Sequence, residues 1–325
     1  MNIEQLSQQR KAYQVMKNSL ISGKISHAYL FEGPSGTGKM AMALAFAKAL
    51  FCKEPGYDAC GRCLDCRKLE NGNQPDVVTI SPEGQSIKID QIRHLQKELS
   101  YRNREERRKV YIMEQAEKMT PPAANSLLKF LEEPQSDIVA ILVTTNGQAM
   151  LPTIKSRTQL VPFLPMDAEQ MLKILVDEGH SELLSRAAVH LTAGLDEARA
   201  VVMQNQFAEI RSLVIQLGKE SITRFTAAMI TAQQQVFKTD MAAQAELLLS
   251  LLVVWFKDFV QYQVNRHEHI VFIDQIDWIR NYAFERSIAE WISCVEHVLQ
   301  ASKKIRAHVA PQLAFEQLFV KLQEG

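Results

Sequence analysis

The chain has 325 residues, and single hydrophobic cores stop growing at about 250–300 residues, so two or three domains are expected. It is 46% hydrophobic and 23% charged, which fits an ordinary soluble globular protein. Lys+Arg and Asp+Glu both total 37, so there is no formal net charge; this disfavours a protein that grips DNA alone along a basic groove and favours protein partners.

The first residues, MNIEQLSQQRKAYQ, lack the basic region and apolar run of a signal peptide. Ala28, Tyr29, Leu30 and Phe31 form a short apolar strand that meets a glycine-rich turn at Gly33, and a helix rich in Ala, Leu and Lys is predicted over 40–51. A cysteine-rich insert follows. Residues 77–80 read as a second strand and 87–99 as a helix with Ile89, Ile92, Leu95 and Leu99 on one face. Residues 109–113 read as a third strand, 123–133 as a helix and 138–144 as a fourth strand. Alternating strands and helices predict an α/β domain with a parallel, doubly wound sheet. After Pro162 and Pro165 the strand signals stop. Three short helices are predicted over 168–178, 182–192 and 195–204, split by Gly179 and Gly194, and the remainder is helical. The expected domains are therefore 1–165, 166–206 and 207–325. The most apolar stretch, 247–260, contains Ser250, Lys257 and Asp258 and reads as a buried helix rather than a membrane span. A cytoplasmic location follows, in which the five cysteines are not expected to pair as disulfides.

Gly33-Pro34-Ser35-Gly36-Thr37-Gly38-Lys39 is a G-x-x-x-x-G-K phosphate loop, placed after a strand and before a helix, where the motif has physical meaning. Glycines allow backbone N–H groups to turn inward around phosphates, the helix N-terminus adds positive potential, and Lys39 would neutralise the β- and γ-phosphates. The next residue should be Ser or Thr, whose hydroxyl ligates Mg²⁺, but it is Met40; a thioether is a poor ligand for a hard cation. At the end of the third strand, where such ATPases carry Asp-Glu, the chain has Glu114-Gln115. Glu114 is an acid one methylene longer, and Gln115 cannot act as a carboxylate base. Three departures converge on one site, so Mg²⁺-dependent ATP hydrolysis is not expected, while ATP binding without turnover stays open.

Cys52, Cys60, Cys63 and Cys66 form C-x7-C-x2-C-x2-C, a set of four soft ligands suited to a tetrahedral, structural Zn²⁺, with an iron–sulfur cluster as the alternative. Four filled positions leave no site for a reactive water. Cys294, near Trp291 and Val295, reads as a core residue.

Four segments in order carry a family resemblance: His27-Ala-Tyr-Leu-Phe before the phosphate loop; the four-cysteine insert; Ala124-Asn-Ser-Leu-Leu-Lys-Phe-Leu-Glu-Glu-Pro134; and Leu151-Pro-Thr-Ile-Lys-Ser-Arg-Thr158. Together they resemble the AAA+ subunits of bacterial DNA polymerase III clamp loaders, which include the tau/gamma motor and its delta' companion; the departures at the phosphate loop point to the delta' branch. The run Pro311-Gln-Leu-Ala-Phe-Glu-Gln-Leu318 is similar to the end of the delta' collar. The resemblance implies an AAA+ domain, a helical lid over 166–206 and a helical collar over 207–325 through which the chain joins a pentameric ring with the motor and delta subunits. That ring loads the sliding clamp on primer-template DNA. It also implies that ATP sites at subunit interfaces receive an arginine from a neighbour's S-R-C motif. Here that motif is Ser156-Arg157-Thr158, so Arg157 is the candidate finger acting in trans, with Thr158 in place of the cysteine; an ordinary surface ion pair is the alternative for Arg157. Thr144-Thr145-Asn146 occupies the position of a γ-phosphate sensor, although Asn146-Gly147 would also explain a strand-end turn. The resemblance puts Glu197 where motors carry a sensor arginine in the lid, an acid that would repel a polyphosphate, with Arg199 two residues on as the alternative.

Two other readings compete: a tau/gamma-like motor ATPase, which would have to tolerate Met40 and Gln115, and a zinc-containing DNA-binding module, against which stand the neutral charge and the lack of a finger-helix pattern after Cys66. Arg102, Arg104, Arg107, Arg108 and Lys109 are either a solvated loop or a contact to DNA or clamp, whereas Lys303, Lys304, Arg306 and His308 read as a solvated helix face. Trp255, Phe256, Phe259 and Tyr262 form a helical aromatic stripe flanked by Leu and Val, so collar packing is expected rather than base stacking.

Overall fold

The computed structural model describes residues 2–101, 108–132 and 137–324. Arg102, Arg104 and Arg107 of the basic run, and Glu133-Pro134 of the family motif, lie outside the described residues. The chain divides into two compact units, Met1–Met166 and Asp167–Gly325.

The first unit is a five-stranded sheet in the order β2-β3-β4-β1-β5, with every pairing parallel. Its elements are α1 (Arg10–Ser22), β1 (Ala28–Glu32), α2 (Lys39–Phe51), α3 (Leu64–Glu70), β2 (Val77–Ile80), α4 (Ile89–Tyr101), β3 (Lys109–Met113), α5 (Pro121–Glu132), β4 (Ile138–Thr144), α6 (Pro152–Lys155) and β5 (Gln159–Pro162). Successive strand residues face opposite sides, so the sheet feeds two cores. Ala28, Leu30, Tyr111, Met113, Ala140 and Leu142 pack with residues of α4 and α5. Tyr29, Phe31, Val110, Ile112, Ile141 and Val143 pack with α1 and α2, including Met16 and Phe46.

Four elements depart from the sequence expectation, the shortest being α6, a single turn opened by Pro152. β5 is a fifth strand at the sheet edge, where its terminal proline interrupts no central ladder. α1 forms on a narrow buried stripe, Ala12, Met16 and Ser19. α3 runs through Cys66, in the place where no helix is predicted.

The second unit is helical. It starts with α7 (Ala168–Asp177), α8 (Glu182–Val189) and α9 (Leu195–Val202), continues with α10 (Phe207–Thr223) and α11 (Phe225–Thr231), passes through a π-helical turn, Ala232–Phe237, and ends with α12 (Ala245–Gln263), α13 (Ile276–Tyr282), α14 (Ile288–Arg306) and α15 (Pro311–Glu324). Asp167 caps α7 by accepting the Gln170 N–H at 3.0 Å, which starts the helical unit where the prolines end the sheet. Ser287 and Glu290 form a capping box on α14, with Glu290 N–H donating to Ser287 Oγ at 3.3 Å and Ser287 N–H to Glu290 Oε2 at 2.6 Å. Trp255, Phe256, Phe259 and Trp291 are buried, Phe259 stacks on Trp291 at 4.3 Å, and Trp255 packs against Gly218, where a Cβ would meet its Nε1 at 2.4 Å. Trp255, Phe256 and Phe259 of the aromatic stripe are therefore core packing, as is Cys294, while Tyr262 is half-buried beside Phe284. Among the described residues no helix is long and apolar enough to cross a membrane.

Candidate functional site

Parallel strands deliver their C-terminal ends to one edge of the sheet. Glu32 pairs with Thr144 and Met113 with Leu142, so the segments following β1, β3 and β4 meet there. The phosphate loop follows β1, Glu114 and Gln115 follow β3, and Asn146 follows β4: the sequence places these residues apart and the topology brings them together.

The loop is shaped by packing as much as by any ligand it could hold. Gly36 and Gly38 have φ of 76° and 82°, the left-handed region that favours glycine, and Gly38 caps the N-terminus of α2. A Cβ on Gly33 would lie 2.2 Å from the carbonyl oxygen of Phe163, so only glycine fits between β1 and the end of β5. Thr37 is buried and its hydroxyl donates to the Pro34 carbonyl at 2.9 Å. Lys39 is also buried, and its ammonium donates to the Gly33 carbonyl at 2.6 Å and to that of Pro34. An entering phosphate would have to draw the ammonium away from these carbonyls. Met40 packs against the apolar cluster beneath α2.

Glu114 accepts the Ser81 hydroxyl at 2.9 Å. Gln115 has φ 50° and ψ 50°, a left-handed conformation unusual for a side-chain-bearing residue, and opens the 3-10 turn Ala116–Lys118. Two residues on is a carboxylate that sequence reasoning does not single out. Glu117 Oε1 accepts the Thr145 hydroxyl at 2.6 Å and the Thr145 N–H at 3.2 Å, tying the end of β3 to the end of β4. Burial pushes the Glu117 carboxyl up, but these hydrogen bonds, the Thr145 hydroxyl foremost, outweigh it and leave the group below the usual carboxylate range. Asn146 Oδ1 accepts the N–H groups of Gln148 (3.1 Å) and Ala149 (3.3 Å), which is the turn-capping chemistry of Asn-Gly.

Arg157 lies elsewhere. It precedes β5, and Gln159 pairs with Tyr29 at the start of β1, so Arg157 stands at the edge of the sheet opposite the chain's own phosphate loop. Its guanidinium donates to the Thr153 carbonyl at 3.0 Å and pairs with Glu132 at 2.7 Å, with side-chain exposures of 36% and 48%. Ser156 donates to the same Thr153 carbonyl at 3.0 Å, and Thr158 to the Ile154 carbonyl at 3.1 Å. In the second unit, Arg199 is clamped by Glu178 (2.7 and 2.8 Å) and Asp196 (2.8 Å). The Arg199 hydrogen bonds hold the Glu178 carboxyl below its usual range.

The cysteines form a second centre. The Sγ atoms of Cys52, Cys60, Cys63 and Cys66 all lie within 4.8 Å of one another, and Cys60 and Cys66 are 4.0 Å apart. A tetrahedral zinc with Zn–S bonds of about 2.3 Å needs sulfurs about 3.8 Å apart, so the donor set fits such an ion. Backbone N–H groups point at the sulfurs: Cys60 N–H at Cys52 (3.3 Å), Cys63 N–H at Cys60 (3.3 Å) and Cys66 N–H at Cys63 (3.5 Å). The N–H groups of Arg62 and Cys63 pull the Cys60 thiol down to about 6, whereas burial pushes Cys66 up to about 12. A bound cation would hold both as thiolates.

Comparison with known proteins agrees with this architecture. A family model described as "DNA polymerase III, delta subunit" matches residues 8–167. DNA polymerase III subunit delta' of Bacillus subtilis is 36% identical over 320 residues, covering 98% of this chain and 97% of that protein. The delta' subunit of Pseudomonas aeruginosa is 30% identical, with 91% of each chain covered. Subunit tau of Bacillus subtilis is 35% identical over 184 residues, but these cover 53% of this chain and 32% of tau. The likeness to delta' runs end to end, and the chain belongs to the family of DNA polymerase III delta' subunits.

Proposed function

We propose that the chain serves in a clamp-loader ring as a subunit that does not hydrolyse ATP itself and that supplies Arg157 to the ATP of a neighbour. The observation that carries this reading is the split between the two edges of the sheet. At the phosphate-loop edge, Met40 is a half-buried thioether packed against the core cluster and Gln115 is an amide, so neither offers the hydroxyl or the carboxylate that magnesium and its activated water require. At the other edge, Arg157 is part-exposed and four strand residues, roughly 13 Å, away from the chain's own loop. An arginine so placed can meet a nucleotide only on another chain.

The division into an AAA+ domain (1–165), a lid (166–206) and a collar (207–325) belongs to the same proposal. A subunit inside a ring needs two different contact faces. The collar carries two apolar ones: Ile288, Ile292 and Leu299 along α14, with Ile292 45% exposed and Phe284 exposed on the turn before it, and Ile230 in the groove between the π-helical turn and α15, with Leu313 and Val320 exposed on α15. These faces fit the motor and delta subunits, and through that assembly the chain would meet the sliding clamp and primer-template DNA. In the cysteine centre we assign Zn²⁺, which when bound cross-links the four thiolates and leaves no open coordination position.

The test is Mg²⁺-dependent phosphate release by the isolated chain. The expected rate is at background; sustained turnover of about 1 per second, the lower range for phosphoryl-transfer enzymes, would make the chain a motor and overturn the reading.

A further inference from the structure

The metal loop is tied to the N-terminal segment at two places. Between Cys52 and Cys60, the carboxylate of Asp58 accepts the backbone N–H groups of Ile3 (3.1 Å), Glu4 (3.0 Å) and its own neighbour Ala59 (2.7 Å). One residue earlier, the Tyr57 hydroxyl lies 3.3 Å from that of Tyr13 on α1, and Lys17 Nζ stands 4.9 Å and 5.4 Å from the two ring centroids.

The segment that Asp58 holds backs the phosphate loop. Ile3 and Leu6 are buried in the cluster beneath α1 and α2. Leu6 stands behind Gly38, where a Cβ would lie 3.9 Å from Leu6 Cδ2. Gln9, itself buried, exchanges two hydrogen bonds with the backbone of Leu164: Nε2 donates to its carbonyl at 2.8 Å, and its N–H donates to Oε1 at 3.2 Å. The adjacent Phe163 carbonyl is the one pressed against Gly33. Gly33 is therefore packed against a residue next to one that Gln9 holds, and Gly38 has Leu6 of the same segment as its neighbour.

We propose that the cysteine loop acts through Asp58 as a latch on the N-terminal segment, so that metal occupancy sets the order of the phosphate loop. Asp58 is a positioning residue: it holds neither metal nor nucleotide, but fixes the first turn that packs behind Gly38. The proposal rests on the reading of the four cysteines as metal ligands. With the metal bound, the loop between Cys52 and Cys60 is cross-linked at both ends and Asp58 is held toward Ile3 and Glu4. Without it the loop regains conformational freedom, those N–H groups turn to water, and the wall behind Gly38 loosens.

Hydrogen–deuterium exchange of the full chain decides the matter, with zinc content measured on the same samples. Three states are compared: zinc-bound wild type, chelator-stripped wild type and zinc-supplied Asp58→Ala. The expected result is one zinc per chain in the variant and exchange about tenfold faster across residues 2–6 and 33–39 in both the stripped and variant samples, the scale set by losing a hydrogen bond to a charged group. Peptides from α12 and α14 should be unchanged, which also shows that the variant is folded. Asp58→Asn, which keeps one acceptor oxygen, should fall between. Unchanged exchange over 33–39 in zinc-replete Asp58→Ala overturns the latch. Loss of zinc from that variant overturns it as well, because Asp58 would then belong to the metal site. A wild-type chain that takes up no zinc sinks the metal reading and the metal half of this proposal, while the Asp58→Ala comparison still decides the latch.

Discussion

Replacing Arg157 with alanine should separate what the residue does for its own chain from what it does for a neighbour. Within the chain its partners are the Thr153 carbonyl and Glu132, and both members of the ion pair are more than a third exposed. Such a pair contributes at most about 1 kcal/mol, so Arg157→Ala should lower the unfolding free energy of the isolated chain by no more than that. Nucleotide affinity of the isolated chain should not change, because the side chain stands at the opposite sheet edge from Gly33–Lys39. In the reconstituted ring the effect should be much larger. An arginine finger is worth about 10³-fold or more in phosphoryl transfer, roughly 4 kcal/mol of barrier, and the site that faces Arg157 should lose that factor. Single-turnover phosphate release with clamp and primed DNA, on rings whose assembly is checked by gel filtration, would resolve the one slow site from the others. Arg157→Lys should recover little, since an ammonium lacks the planar fork. Glu132→Gln, which removes only the intrachain partner, should leave turnover intact. An Arg157→Ala ring that assembles and turns over at the wild-type rate at every site would refute the reasoning. So would a loss of several kcal/mol in the isolated variant, which would make Arg157 a structural residue.

Other consequences can be checked on the isolated chain. Gly33→Ala drives a Cβ into the Phe163 backbone and should cost about 2 kcal/mol or more, whereas at Gly147 the obstruction is the Glu32 carboxylate, which can swing aside, so Gly147→Ala should cost less than about 1 kcal/mol; equal urea midpoints for the two would contradict this packing. Because folding depresses the Glu117 carboxyl, the unfolded chain takes up that proton first as pH falls, and the stability it contributes is present above the usual glutamate range and lost below it; Glu117→Gln should therefore show a shallower loss below about pH 5, and parallel curves would remove Glu117 from the acid response. Ile292→Glu alters an exposed position on α14 and should change isolated stability by less than about 0.5 kcal/mol while abolishing co-elution with partner subunits; normal co-elution would exclude that face.

Where the signal is local, the sequence is explicit. Four strands follow from short apolar runs because a buried parallel strand needs side chains on both faces, as β4 has along all seven residues. β5 escapes such reading: two of its four residues are exposed and it ends in proline, so only its pairing with β1 defines it. The phosphate loop and the cysteines are legible because each motif is nearly contiguous. The contacts that orient them are not. Glu117 meets Thr145 across 28 residues, and Asp58 reaches Ile3 across 55, pairings that depend on how β3, β4 and the N-terminal segment are laid side by side. Asn146 is an intermediate case, since Asn-Gly predicts the cap it forms but the topology alone puts it beside the phosphate loop.

The retained phosphate-loop motif can be accounted for without ATP. Gly33 is required by the carbonyl of Phe163, Gly36 and Gly38 by their left-handed backbone, Thr37 by its bond to Pro34, and Lys39 satisfies two loop carbonyls that would otherwise face inward. Met40 is different in kind. Its expected hydroxyl would serve only a magnesium ion, and the structure uses the position for apolar packing under α2 instead. After β3, Glu114 has a structural partner in Ser81, while Gln115 holds the left-handed turn and carries no carboxylate. Within the phosphate loop the positions with a packing task keep the motif, and the three positions expected to serve metal or water, Met40, Glu114 and Gln115, depart from it. A loop of this shape therefore says that the fold needs the loop, and nucleotide binding has to be judged by whether a phosphate can compete with the Gly33 and Pro34 carbonyls for the Lys39 ammonium.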